Sequence, residues 1–492
     1  MMGFGLIFIP ENFLAVVFGA VVGYFIGAMP GLSPSVGIAL LVPFTYTMTP
    51  VSSIVMLVAI YVASQFGGAI PAILMNTPGN ASAATTVLDG YPLAQQGKAA
   101  TALGMSIIVS GFAAFLSAVL LIIFTLPLAA FALRFAAPEY FFLALLGLSV
   151  VSGLSSDSLT KGLMVVMLGL LITTVGMDPV DGAMRYVFTF HFLEGIPFVP
   201  AIVGLFAIAE VLTNFSKKND EKSTELIKLE GKLPNKSELR YCMPATLRGS
   251  LIGFGIGVIP AVGANIASWF AYNVAKNTSK QPEMFGKGAL DGIASCEAAN
   301  SASVSGTLVP TLTLGIPGSP AAAVLMGALM LQGLQPGPLL FSRNPEIPFS
   351  VFASLLISVP IMLAIGLLAA PLFSKVVLVP KSVLSAIILG ICVLGSYALT
   401  NHMFGVWVAF AFGILGFILK KLNFSVVPLV LALVLGRMAE RNYRVALLMG
   451  QGSHMIFINR PLAVIIALIA LVSFAYPFIQ SALSKRKLNT QA

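Results

Sequence analysis

The chain has 492 residues, of which 58% are hydrophobic and 9% charged, with a mean hydropathy of +0.97 and a formal net charge of +9. Soluble domains carry charge on about a quarter of their residues, so this composition excludes a soluble globular protein and predicts an all-α polytopic membrane protein. The positive charge does not indicate nucleic acid, because no basic stripe with interleaved aromatics accompanies it.

Apolar segments approach the ~20 residues a span needs near 13–29, 51–76, 101–133, 138–153, 159–176, 196–213, 245–272, 301–332, 349–378, 382–400, 403–420, 424–436 and 460–482. Several are short or interrupted, which predicts roughly 10 to 13 crossings plus re-entrant pieces. No Lys or Arg precedes Lys98, whereas Lys217, Lys218, Lys222, Lys228, Lys232, Lys236, Arg240 and Arg248 crowd one stretch and Lys485, Arg486 and Lys487 lie near the end. By the positive-inside rule that stretch and the C-terminus are expected in the cytoplasm. The division is a first membrane repeat over 1–213, a charged cytoplasmic linker over 214–244 and a second membrane repeat over 245–492. The start lacks a basic n-region, so the first apolar segment is expected to remain as a span.

The repeat is visible in the residues. Gly19, Gly23, Gly27 and Pro30 recur as Gly249, Gly253, Gly257 and Pro260, and Gly67, Pro71, Pro78 and Gly79 recur as Gly306, Pro310, Pro317 and Gly318. The second set is offset slightly further, which puts a short insertion near 275–291, a loop. Glycines four apart share one helix face and permit close contact between membrane helices. The prolines that follow interrupt the helix, and broken backbone at membrane depth is tolerated only where it is buried or lines a cavity. If the uncharged N-terminus faces the outside, the copies cross in opposite directions as inverted repeats; parallel repeats are the alternative.

The breaks carry hydroxyl, amide and bare-backbone groups: Gly31 and Ser33; Asn76, Thr77, Gly79 and Asn80; Gly263; Asn300 and Ser301; Gly318 and Ser319. Unpaired N–H groups at a half-helix N-terminus suit a carboxylate. Freed carbonyls, such as those of Gly315 and Pro317, suit Na⁺. Asp89 and Glu297 are the acidic residues nearest the breaks and, with Thr313, are candidates for ion coupling, because ionisable groups inside a bilayer are costly and usually functional; an interfacial position is the alternative for both. Arg134, Glu139, Asp157, Lys161, Asp178, Asp181, Arg185 and Glu194 fall near segment ends and are expected to be solvated. Three scattered cysteines, Cys242, Cys296 and Cys392, form neither a disulfide framework nor a metal site. No P-loop and no G-x-S-x-G elbow is present, so an enzyme finds no support.

The runs Gly23 to Leu32, Leu74 to Gly79, Leu88 to Pro92, Glu297 to Asn300 and Leu312 to Gly318 resemble the large membrane subunit of tripartite tricarboxylate transporters, the TctA family. The chain departs from that pattern at Gly68, Pro71, Asn80, Ala261 and Ser301. The resemblance implies a multi-pass secondary transporter of the bacterial inner membrane with an inverted-repeat fold and elevator-like movement. It further implies import of an organic carboxylate driven by a Na⁺ or H⁺ gradient, a periplasmic solute-binding protein that delivers it, a small membrane subunit as partner, and no cofactor. A non-transporting membrane scaffold for partner proteins is the alternative.

Overall fold

The computed structural model describes residues 2–154, 159–178, 181–216, 227, 229–260, 262–376 and 379–489. Asp157, Ala261 and the linker residues 217–226 and 228, with Lys217, Lys218, Lys222 and Lys228, lie outside these.

Proline at the first helical turn starts many of the helices, where its missing N–H is no loss. The first half holds α1 (Met2–Ile7), α2 (Pro10–Ala28), α3 (Pro34–Leu41), α4 (Pro50–Gly67), α5 (Ala69–Met75), α6 (Ala84–Leu93) and α7 (Ala99–Ala132). It continues with α8 (Ala137–Leu154), α9 (Leu159–Thr173), α10 (Phe198–Val203) and α11 (Ala209–Ser216), with a small antiparallel hairpin pairing Gly176 with Arg185 between α9 and α10. The second half holds α12 (Lys236–Val258), α13 (Gly263–Thr278), α14 (Leu290–Leu314), α15 (Pro320–Leu331), α16 (Pro338–Arg343) and α17 (Glu346–Val376). It ends with α18 (Lys381–Thr400), α19 (Met403–Lys421), α20 (Val427–Met449) and α21 (Pro461–Asn489).

The four expected interruptions fall between α2 and α3, after α5, between α12 and α13, and after α14. Among the described residues, seven helical stretches are long and apolar enough to cross a membrane, and five shorter apolar helices accompany them. Two features keep other apolar stretches below that length or hydropathy. The breaks cut spans into pieces such as Pro320–Leu331, and α14 carries Glu297, Asn300 and a series of hydroxyls that lower its hydropathy. Helix α12 begins at Lys236, where the Asn235 side chain accepts from the Glu238 N–H and the Glu238 carboxylate accepts from the Asn235 N–H, a reciprocal cap.

Each glycine row is a helix seam. Helix α2 lies on α4, where a Cβ at Gly19 would fall 2.5 Å from the Met56 carbonyl oxygen and one at Gly23 2.7 Å from that of Ile60. Helix α12 lies on α14 in the same way, with Gly257 against Ser303 at 2.6 Å. Helices α4 and α5 sit at the centre, and every residue of their apolar window is buried. Around this core, α20 packs along α8 and α9, and α19 along α10 and α11, forming a flanking bundle that α3 and α15 touch.

The breaks after α5 and α14 share one geometry. Asn76 and Gly315 are left-handed, with φ of 54° and 68°. The next N–H donates back to the carbonyl of the matching proline: Thr77 to Pro71 at 3.3 Å, Ile316 to Pro310 at 3.2 Å. Asn tolerates this conformation and a β-carbon on other residues resists it. Gly315→Ala is therefore expected to cost about 1–2 kcal/mol, more so because its Cβ would lie 3.0 Å from the Pro336 carbonyl oxygen. Asn76→Gly is expected to change stability by a few tenths of a kcal/mol only. Thermal unfolding midpoints of the two purified variants check the contrast.

The charges expected to be solvated include two that are not. Glu139 is fully buried, accepts from the Ala136 N–H at 2.9 Å and pairs with Arg460 at 2.6 Å. Asp178 is buried and pairs with Arg444 at 2.7 Å. Both are paired because an unpartnered buried carboxylate is unaffordable in free energy. The three cysteines are buried free thiols.

Candidate functional site

The second halves of the two breaks converge on the place where α4 crosses α14. Each returning segment begins with a side-chain cap, Asn80 on the short 3₁₀ turn Ala81–Ala83 that leads into α6 and Ser319 on α15. Asn80 Oδ1 accepts from the Ala83 N–H at 2.9 Å, and Ser319 Oγ accepts from the Ala322 N–H at 3.1 Å. The glycines just before them let the backbone approach: a Cβ at Gly79 would fall 2.8 Å from Gly68 Cα, and one at Gly318 2.6 Å from Thr307 Cα. The first returning segment therefore lies against the last turn of α4 and the second against Thr307 within α14.

Two residues of α4 bind the pieces together. The Tyr61 hydroxyl lies 2.7 Å from Ser319 Oγ and 3.1 Å from Thr307 Oγ1. One turn on, Gln65 Oε1 accepts from Asn80 Nδ2 at 3.0 Å and from Ser82 Oγ at 3.2 Å, while the Gln65 carbonyl accepts from Asn300 Nδ2 at 3.4 Å. Ser82 Oγ also donates to Asn80 Oδ1 at 2.7 Å. At Gly263, the start of α13, an added Cβ would lie 3.8 Å from Ser319 Cβ. The result is a buried polar cluster with the N-termini of α6 and α15 at its two ends. It is built from neutral dipoles, which can solvate an anion without a fixed cation.

Several expected residues lie elsewhere. Asn76 is exposed on the turn after α5, and Thr77 spends its hydroxyl on the Met75 carbonyl at 3.1 Å. The nearby Leu74 carbonyl accepts at 3.2 Å from Ile227, in the segment that leads to α12. Gly31 is exposed beside Glu210 and Asn214 of α11, and Ser33 caps α3 by accepting from the Val36 N–H at 3.4 Å. The Thr313 hydroxyl donates to Val309 of its own helix at 2.7 Å. Gly315 and Pro317 are buried in the second break.

The two acidic candidates have different surroundings. Asp89, on α6, is fully buried and accepts four hydrogen bonds. Its Oδ1 takes the N–H groups of Gly286, Gly288 and Ala289 at 2.8, 2.9 and 2.9 Å, and its Oδ2 takes the Tyr272 hydroxyl at 2.8 Å. Glu297, on α14, is also fully buried, but hydroxyls surround it. Thr86 donates to Oε1, Ser110 Oγ lies 3.5 Å from Oε2, and the side chains of Asn300 and Ser106 also reach the carboxyl group. Among the described residues no Lys, Arg or His pairs with Glu297.

Sequence reasoning missed Tyr61, Gln65, Ser110 and Thr307. Tyr61 and Gln65 did leave a trace, a polar pair one turn apart in an otherwise apolar segment that ends at the break. No group of His, Cys, Asp and Glu among the described residues could hold a metal ion of the kind those residues bind together.

The profile of the tripartite tricarboxylate transporter TctA family matches residues 13–431. An uncharacterised 52.8 kDa protein of Agrobacterium vitis, from the TAR-I ttuC′ 3′ region, is 36% identical over 486 residues, which cover 99% of this chain and 97% of the relative. A second uncharacterised protein of Agrobacterium vitis, from the TAR-II ttuC′ 3′ region, is 34% identical over 231 residues, or 47% of this chain and 96% of the relative. No solved structure matches.

Proposed function

We propose that this chain, which belongs to the tripartite tricarboxylate transporter TctA family, imports an organic di- or tricarboxylate across the bacterial inner membrane. A Na⁺ or H⁺ gradient drives it, a periplasmic solute-binding protein delivers the substrate, and a small membrane subunit works beside it. The observation that carries this reading is the convergence of two helix starts, at Asn80 and Ser319, on the buried crossing of α4 and α14. Backbone N–H groups at those starts attract a carboxylate at each end of the cluster.

What supports an inverted arrangement of the halves is the order of contacts across the crossing. Tyr61 meets Thr307 while Gln65, further along α4, meets Asn300, earlier on α14. The two central helices run past each other in opposite directions, as they do when one repeat is turned over relative to the other. Alternating access then follows from movement of the core that holds the breaks against the flanking bundle of α8–α11 and α18–α21.

The test is uptake of labelled di- and tricarboxylates into proteoliposomes that contain this chain and the small subunit, with the binding protein outside and a Na⁺ or H⁺ gradient imposed. Gradient-dependent uptake is expected only when the binding protein is present. Ser319→Ala removes both a helix cap and the Tyr61 bridge, each worth about 1 kcal/mol, and is expected to lower uptake roughly tenfold at unchanged membrane abundance. No uptake of any carboxylate, with no carboxylate-dependent rise in thermal stability, assigns the chain to the scaffold alternative.

A further inference from the structure

Glu297 is the group the carboxylate cluster does not use, and its surroundings do not balance. It is 0% exposed on α14, no basic side chain among the described residues pairs with it, and its neighbours Thr86, Ser106, Ser110 and Asn300 are all neutral. Hydroxyl donors offset only part of the cost of burying a charge. Two more oxygens within one helical turn of it on α14 are also unsatisfied. Asn300 Oδ1 and Ser301 Oγ, in residues 0% and 1% exposed, have no hydrogen-bond partner. Asn300 and Ser301 are three and four residues on from Glu297, one helical turn away on the same face of α14.

We infer that Glu297, Asn300, Ser301 and Thr86 form a binding site for one dehydrated Na⁺ between α6, α7 and α14. A carboxylate, an amide oxygen and hydroxyl oxygens are the hard ligands such a cation prefers to water when it is buried. A proton on Glu297 also removes the charge, but its single O–H can partner only one of the two free oxygens, Asn300 Oδ1 and Ser301 Oγ; a cation engages both. This reassigns Asn300 and Ser301, which sequence reasoning placed on the substrate, to the cation. It also links the two ligands. Asn300, one turn on from Glu297 along α14, donates to the Gln65 carbonyl at 3.4 Å, so an anion bound at the crossing stands close to Glu297 and is repelled until the cation is in place. By linkage, each ligand then tightens the other's binding by the same factor.

The coupling role rests on the transport reading, whereas the site does not, so the test is made on binding alone. Thermal unfolding of the purified full chain in detergent is followed as NaCl replaces choline chloride at constant ionic strength, with KCl in parallel. The midpoint is expected to rise saturably with Na⁺ and with neither K⁺ nor choline, as mass action requires for a ligand that binds only the folded state. Glu297→Gln is expected to abolish the rise, and Ser301→Ala to raise the half-saturating Na⁺ concentration on the order of tenfold. A native chain with no Na⁺-specific rise, a midpoint that follows pH but not Na⁺, or a Glu297→Gln protein that keeps the rise overturns the site. Should Glu297→Gln fail to fold, Ser301→Ala decides, and an unshifted half-saturation overturns it equally. Carboxylate uptake without any Na⁺ response leaves the transport reading standing and removes the Na⁺ site.

Discussion

Gly253→Val is expected to eliminate folded protein, while Gly255→Val, two residues further along the same helix, leaves it nearly intact. A Cβ at Gly253 would lie 2.6 Å from Ala299 Cα and 2.8 Å from its carbonyl carbon, whereas one at Gly255 meets nothing within 4 Å. Overpacking that a side chain can relieve costs about 1–3 kcal/mol. Here the obstacle is the backbone of α14, and no rotamer change moves it. The seam between α12 and α14 must open along Gly249, Gly253 and Gly257, which separates the surfaces that position Asn300 and Ser319. The expected cost exceeds ~3 kcal/mol, a large share of the 5–15 kcal/mol by which folded proteins are stable. Valine's lower helix propensity, about 0.5 kcal/mol, applies to both variants, so their difference isolates the seam. Size-exclusion profiles and thermal midpoints of detergent extracts measure it, and equal monodisperse yields would remove the close-packed seam as the reason for the glycine row.

The glycine rows and breaks were legible in the sequence because their signals are local. Only glycine permits backbone contact every fourth residue, and proline stops a helix wherever it lies. The site was legible only in part, because its other members are defined by a crossing between halves far apart in sequence. Tyr61 and Gln65 lie in uninterrupted helix, and nothing in their neighbourhood shows that Thr307, Ser319 and Asn300 will meet them. Closeness to Pro78 misled in the other direction. Asn76 and Thr77 sit before the chain turns back, so the left-handed turn at Asn76 leaves them outside, while Gly79 and Asn80 return to Gly68 and Gln65. Glu139 and Asp178 were read as solvated because their partners, Arg460 and Arg444, are remote in the chain.

Two substitutions at Asp89 are expected to diverge. Asp89→Ala leaves the N–H groups of Gly286, Gly288 and Ala289 and the Tyr272 hydroxyl without their acceptor. Gly286 and Gly288 hold φ of 86° and 108°, and the carboxylate is what gathers their N–H groups to one point. A buried donor left unpaired costs about 1–3 kcal/mol. Four such losses do not add in full once the loop relaxes, so the expected destabilisation is about 3–5 kcal/mol. Asp89→Asn keeps the oxygen that takes all three backbone bonds and sets an amide against the Tyr272 hydroxyl, which can rotate to accept; about 1 kcal/mol is expected to be lost with the charge. If Asp89 instead held a coupling ion, Asn would preserve the fold and abolish gradient-driven uptake. Retention of both stability and uptake in Asp89→Asn, with collapse of the folded fraction in Asp89→Ala, fixes Asp89 as the clamp between α6 and the loop before α14, and leaves Glu297 as the buried carboxylate whose charge still requires a partner.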